Sequence, residues 1–82
     1  MATYIRELDG FTGQACLVEH CGKFYAVSST HALFGGFETL VFRCDGDGNV
    51  TDWGDVAGGR GYSREEAISD LEATISNEEA SK

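Results

Sequence analysis

Strand-like segments separated by short turns fill most of this chain, and they limit its fold more than any other feature. The segments are rich in β-branched and aromatic residues, and glycine-containing dipeptides interrupt them at short intervals. Such a pattern is typical of antiparallel hairpins. It predicts strands over 4–8, 14–20, 23–29, 39–44 and 50–55, with a flexible connector over 56–61.

The first predicted hairpin turns at Cys21-Gly22. A two-residue turn there places His20 opposite Lys23 and Val18 opposite Tyr25. Because both faces of these strands are apolar, we expect them to lie in the centre of the sheet.

The second predicted hairpin turns at 47–48, an Asp-Gly dipeptide that suits a type I′ turn. This register sets Arg43 opposite Asp52, an opposite-charge pair worth roughly 0.2 to 1 kcal/mol relative to an alanine pair. It also forms an aromatic pair between Phe42 and Trp53. The face predicted to join the core then carries Leu40, Phe42, Cys44 and Trp53.

One helix is predicted over 63–77. Ser63 and Glu66 form a capping box, in which each side chain satisfies a backbone N–H at the start of the helix. The apolar residues that follow recur at helical spacing and form one stripe: Ala67, Ile68, Leu71 and Ile75. The fold class is therefore α+β: a four- to five-stranded, mostly antiparallel sheet, made of a first strand and two hairpins, with the C-terminal helix on one face. Residues 1–77 form a single domain, and 78–82 form a frayed polar tail.

The net charge of −8 is concentrated in one half of the chain. Residues 44–82 carry ten acidic and three basic side chains, whereas residues 1–43 are nearly neutral. So few Lys and Arg residues argue against direct binding to nucleic acid or to an anionic membrane surface. With no signal-peptide pattern, no membrane-spanning apolar run and an odd number of cysteines, we expect a cytoplasmic protein with reduced thiols.

Four short motifs are weighed as chemical sites, and none predicts a cofactor or a metal. Residues 45–49 imitate the start of a calcium loop but lack its later ligands, so we interpret them as a hairpin turn. Cys16, His20 and Cys21 cannot converge on zinc in a regular strand. The Ser and Thr residues of 28–31 do not form a nucleophile and base with the neighbouring histidine. The Gly-rich segment 58–61, which precedes a helix, is a weaker candidate for an anion or nucleotide pocket.

Two surfaces are predicted to bind a partner. A loop between two strands carries apolar side chains around a Gly-Gly break, and the outer face of the helix carries carboxylates with little compensating charge. The residues of these surfaces are Leu33, Phe34 and Phe37 in the loop, and Glu65, Glu66, Asp70 and Glu72 on the helix.

The order of motifs over 36–61 resembles that of small accessory proteins encoded by bacteriophages of actinobacteria. Gly36-Phe37-Glu38-Thr39-Leu40-Val41-Phe42 is followed by Asp47-Gly48-Asn49-Val50-Thr51-Asp52-Trp53-Gly54-Asp55 and by Gly59-Arg60-Gly61. The likeness covers roughly residues 25–61 and departs from the pattern at Arg43-Cys44. It implies a phage protein that works in the host cytoplasm, and it carries over no catalytic or ligand residues.

The function expected from the sequence is that of a small acidic, non-enzymatic module that binds a host or phage protein. Two alternatives stay open. In the first, the acidic half of the chain imitates nucleic acid and blocks a DNA- or RNA-binding protein. In the second, the chain is a small enzyme, or an anion- or nucleotide-binding protein, that uses residues 58–61. Self-association through an uncovered sheet face also stays open.

Overall fold

A computed structural model describes residues 2–11, 13–31 and 35–80, with side chains described to residue 77. The described elements follow the chain in simple order, each strand pairing antiparallel with the next. The elements are β1 (Thr3–Leu8), β2 (Gln14–His20), β3 (Lys23–His31), β4 (Phe37–Cys44), β5 (Val50–Arg60) and α1 (Arg64–Ala80). The predicted α+β class, with one antiparallel sheet and a C-terminal helix packed against it, is confirmed.

The first hairpin has the predicted register. His20 pairs with Lys23 and Val18 pairs with Tyr25. Cys21 and Gly22 adopt φ values of 54° and 78°. Both turn residues therefore lie in the left-handed region that a type I′ turn requires, and this turn matches the twist of the flanking strands.

The helix begins with the predicted capping box. The Ser63 amide donates to Glu66 Oε1 and the Glu66 amide donates to Ser63 Oγ, both at 3.1 Å. The helix ends at Ala80, beyond the predicted end at residue 77. Its apolar stripe packs on the sheet in the main core, whose buried members are Cys16, Val18, Tyr25, Val27, Val41, Ala57, Ala67, Leu71 and Ile75.

The main core lies on the face of the sheet opposite to the predicted one, and the predicted face carries only a smaller buried cluster. Neighbouring residues in a strand point to opposite sides, and on β4 the helix covers the side of Val41. Leu40, Phe42 and Cys44 therefore lie on the opposite side, which we name the open face, and all three are partly buried. Trp53, predicted to be a core residue, is 69 % exposed.

The open face is closed at one end by the tip of the second hairpin. Arg6 Nη2 on β1 donates to the backbone oxygen of Asp47 at 2.9 Å. A Cβ on Gly48 would lie 2.4 Å from Leu8 Cδ2 and would force that side chain to shift, and the φ of 90° also favours glycine at this position. The tip thereby covers a second, smaller buried cluster, which comprises Leu8, Ala15, Leu17 and Ala26.

The connector predicted over 56–61 is largely strand. β5 continues to Arg60 and pairs with β4, with Ala57 opposite Val41 and Gly58 opposite Leu40. The glycines that indicated a flexible connector instead permit close strand packing. A Cβ on Gly58 would lie 2.1 Å from the backbone oxygen of Thr39.

Candidate functional site

A bulge in β5 interrupts the second hairpin. The predicted pairing of Arg43 with Asp52 is confirmed, but the next pair along the ladder is Val41 with Ala57. The segment 53–56 therefore lies opposite Phe42 alone. Asp52 Oδ1 accepts a hydrogen bond of 2.9 Å from the Gly54 amide, which fixes the local turn of the chain. Bulges of this kind redirect side chains, and they are frequent next to functional sites.

The bulge presents the indole of Trp53 on the open face. Its ring meets Phe42 edge to face, with centroids 5.3 Å apart, so the predicted aromatic pair is confirmed. Phe11, on the segment after β1, contacts the same indole at a centroid distance of 6.4 Å. Two rings thus hold the indole in place while most of its surface faces solvent.

These aromatic rings line a groove on the open face, and Gly48 and Asn49 of the hairpin tip form part of its wall. Its volume is about 470 Å³, which lies in the range of small-molecule and side-chain pockets. Apolar side chains and short polar ones share the surface. The lining residues are Asp9, Gly10, Phe11, Ser28, Thr30, Leu40, Phe42, Gly48, Asn49, Val50 and Trp53.

Acidic side chains lie in and near the groove. Asp9 lies in its lining, and Asp52 and Asp55 are exposed within two residues of Trp53. Arg43 stands opposite Asp52 in the ladder and offsets the charge of that aspartate. The acidic side chain within the described lining is therefore Asp9.

Comparison with known proteins assigns no function to this groove. No family model, curated protein or solved structure matches the chain. The resemblance of residues 25–61 to phage accessory proteins therefore stays a prediction. Over the part of the chain that the structure describes, no helix combines the length and hydropathy needed to cross a membrane.

The 45–49 turn next to the groove is organised by one carboxylate. Asp45 Oδ1 accepts from the amides of Asp47 and Asn49, both at 2.9 Å. The backbone hydrogen bond from Asn49 is the main cause that lowers the pKa of Asp45. The predicted turn position is wrong by one residue. The Gly48 amide donates to the Asp45 carbonyl, which centres the turn on 46–47 and leaves Gly48 in the left-handed region at φ 90°.

The thiols and imidazoles do not form a metal site within the described ranges, where no group of ligating side chains has the required arrangement. All three cysteines are free thiols. Burial raises the pKa of Cys16 and raises that of Cys44 to about 11, which disfavours the reactive thiolate at both positions. His20 is 5 % exposed, and its Nδ1 has no hydrogen-bond partner among the described residues.

Three of the four helix carboxylates predicted to bind a partner hold the chain's own backbone. Glu66 caps the helix, as described above. Asp70 Oδ2 accepts from the Gly58 amide at 2.8 Å, and Glu72 Oε2 accepts from the Ala2 amide at 2.6 Å. These two carboxylates tie the helix to β5 and to the start of the chain, a role that sequence periodicity did not indicate.

The other predicted binding residues are only partly described. Glu65 is exposed on the first turn of the helix. Phe37 is 42 % exposed at the start of β4, where it pairs with His31. Leu33 and Phe34 lie outside the described residues.

The candidate anion loop at 58–61 has other partners for two of its amides. The Gly58 amide donates to Asp70, and the Gly61 amide donates to the Phe37 carbonyl at 2.7 Å. Converging free amides are what such a loop needs to bind an anion. A carboxylate of the chain already occupies the Gly58 amide, so the geometry favours the Trp53 groove over this loop.

Proposed function

We propose that this chain is a small acidic, non-enzymatic module that binds a protein partner in the cytoplasm, and that the Trp53 groove is its binding surface. The observation that carries the proposal is the 69 % exposure of an indole that two aromatic rings and a bulge hold in place. Exposed tryptophan is a frequent centre of binding energy at protein interfaces.

The exposed indole offers enough surface to anchor a partner. A tryptophan side chain presents roughly 250 Å², so the exposed part is about 170 Å². At about 25 cal/mol per Å², its burial contributes on the order of 4 kcal/mol. Because Phe11 and Phe42 already restrict the ring, binding loses less side-chain entropy than a freely rotating anchor would.

The phage resemblance enters the proposal as the setting: an accessory protein that acts on a host or phage protein in the infected cell. The exposed Glu65 remains available as a secondary contact. The nucleic-acid mimic receives less support, because such a protein needs outward-facing carboxylates. Asp70, Glu72 and Asp45 instead accept hydrogen bonds from the chain itself.

Selection of a displayed library of random 12-residue peptides on the immobilised protein tests this proposal. We expect enriched peptides to bind the wild type and to lose at least tenfold in affinity for Trp53→Ala. Phe37→Ala is the matched control, since it removes an exposed ring outside the groove lining and should leave affinity within about twofold. Trp53 is the single tryptophan, so its emission reports peptide binding directly as a shift to shorter wavelength.

Two results would contradict the assignment of the groove as the binding surface. Peptides that lose affinity for Phe37→Ala and bind Trp53→Ala normally would move the binding surface to the start of β4. A library that yields no peptide dependent on Trp53 would overturn the proposed function.

A further inference from the structure

We propose that the occupant of the groove is an arginine side chain carried by a basic segment of the partner protein. This inference rests on the proposed function and specifies the chemistry that the groove recognises. It depends on three properties of the groove: an exposed aromatic face, a set of hydrogen-bond acceptors and an acidic side chain, Asp9, in a described lining that has no basic one.

The aromatic face suits a planar cation. Trp53 presents most of its indole to solvent, and tryptophan is the side chain whose ring attracts a cation most strongly. Phe42 meets the indole edge to face, so its own ring does not cover the opposite face by stacking. A guanidinium can stack on an indole, whereas the compact ammonium of lysine offers no planar surface.

The hydrogen-bond acceptors of the groove lining suit a ligand group with several N–H donors. The lining residues include Asp9, Ser28, Thr30 and Asn49, whose side chains all carry an acceptor oxygen. Each of these groups can accept a hydrogen bond, and a guanidinium carries five N–H donors in one plane. The apolar part of the lining, including Leu40, can receive the aliphatic stem of the same side chain.

The negative charge is not neutralised from within the groove. Among the described lining residues none is lysine or arginine, while Asp9 is acidic. Outside the lining, Arg6 on the open face donates to the backbone oxygen of Asp47, and Arg43 stands opposite Asp52 in the ladder. Arg60 lies farther along β5 and pairs with Glu38 on β4, so its positive charge is opposite an acidic residue. A cationic group that enters the groove therefore meets the acidic Asp9 and no basic side chain in the described lining.

The test uses peptides from the selection described above and replaces their arginines by citrulline, which keeps the length and planarity but carries no charge. We expect this replacement to weaken binding at least tenfold and to flatten its dependence on salt. Lysine should weaken binding by a smaller factor. The variant Asp9→Asn should lose about three- to tenfold for the arginine peptide and nothing for the citrulline peptide.

The outcomes separate this inference from the proposed function. Peptides that depend on Trp53 but contain no arginine, or that bind equally well with citrulline, overturn the arginine assignment and leave the binding module intact. Loss of affinity in Asp9→Asn that is equal for both peptides also overturns it, since the carboxylate would then act on the shape of the groove alone. Absence of any peptide that depends on Trp53 overturns both.

Discussion

Replacement of Gly58 by alanine, compared with the same change at Gly61, measures how closely β5 must approach β4. Both glycines have positive φ, 94° and 77°, so alanine is strained at either position. They differ in the space around them. A Cβ at Gly58 would lie 2.1 Å from the backbone oxygen of Thr39, whereas nothing lies within 4 Å of a Cβ at Gly61.

The expected cost follows from these two differences. Left-handed strain costs about 1 to 2 kcal/mol at both sites. At Gly58 the overlap involves backbone atoms, which cannot rotate away, so the strands must separate. That movement stretches or breaks the 2.8 Å hydrogen bond from the Gly58 amide to Asp70, worth about 2 kcal/mol for a charged acceptor. We therefore expect a loss of about 1.5 kcal/mol for Gly61→Ala and about 4 kcal/mol for Gly58→Ala.

Urea unfolding followed by far-ultraviolet circular dichroism gives both free energies, and thermal melts provide a second measure. At about 6 °C per kcal/mol for a domain of this size, the melting temperature should fall by about 9 °C for Gly61→Ala and by about 24 °C for Gly58→Ala. Equal losses for the two variants would refute the reasoning, because strain alone would then explain both. In that case, the pairing of β5 with β4 beyond the bulge would not depend on the absence of a side chain at Gly58.

Three further predictions concern the acidic side chains and the exposed indole. Asp70→Ala should lower the free energy of unfolding by about 2 kcal/mol because it leaves an amide of β5 without its acceptor, while Glu65→Ala, on the same helix, should change it by less than about 0.5 kcal/mol in the same urea assay. Since the pKa of Asp45 is lowered in the folded state, its contribution to stability is present above the unfolded pKa and disappears as the pH falls below about 4. Asp45→Asn should therefore reduce stability at pH 7 and flatten its decline in acid, and an unchanged acid profile would contradict this assignment. Trp53→Ala should cost about 2 kcal/mol or less, against about 3 to 5 kcal/mol for a core tryptophan, so a larger loss in urea unfolding would restore the core interpretation.

The sequence predicted those parts of the fold that local interactions determine. The turn at Cys21-Gly22 and the capping box of Ser63 with Glu66 each involve residues close together in the chain. Their residue types leave few alternatives. Arg43 and Asp52 were also paired correctly, because charge and the approximate position of the turn agree there. For the first hairpin and the start of the helix the sequence predicts the structure in detail, whereas for the second hairpin it predicts this pair but not the position of the turn.

The choice of sheet face could not be predicted in the same way. Both faces of β2 and β3 are apolar, so alternation alone does not say which one the helix covers. The decision depends on contacts between distant parts of the chain, among them the approach of Gly48 to Leu8 and the hydrogen bond from Gly58 to Asp70.

The bulge left a signal that the strand prediction did not use. Gly54 follows Asp-Trp inside the predicted strand, and an aspartate two residues before a glycine favours a local turn. In the structure the Gly54 amide does donate to Asp52. A rare and large apolar residue, Trp53, favoured the core interpretation instead, because such residues are usually buried.

The two faces of the sheet differ: the helix face holds the main core, and the open face holds the groove. The helix face holds the main buried cluster, so most of the hydrophobic stabilisation comes from residues that do not touch Trp53. On the open face, the contact of Gly48 with Leu8 covers a smaller cluster, and the bulge holds an indole in the groove that Gly48 also lines. Changes to the groove should therefore alter binding without unfolding the domain, whereas changes to the Gly48 contact should alter both.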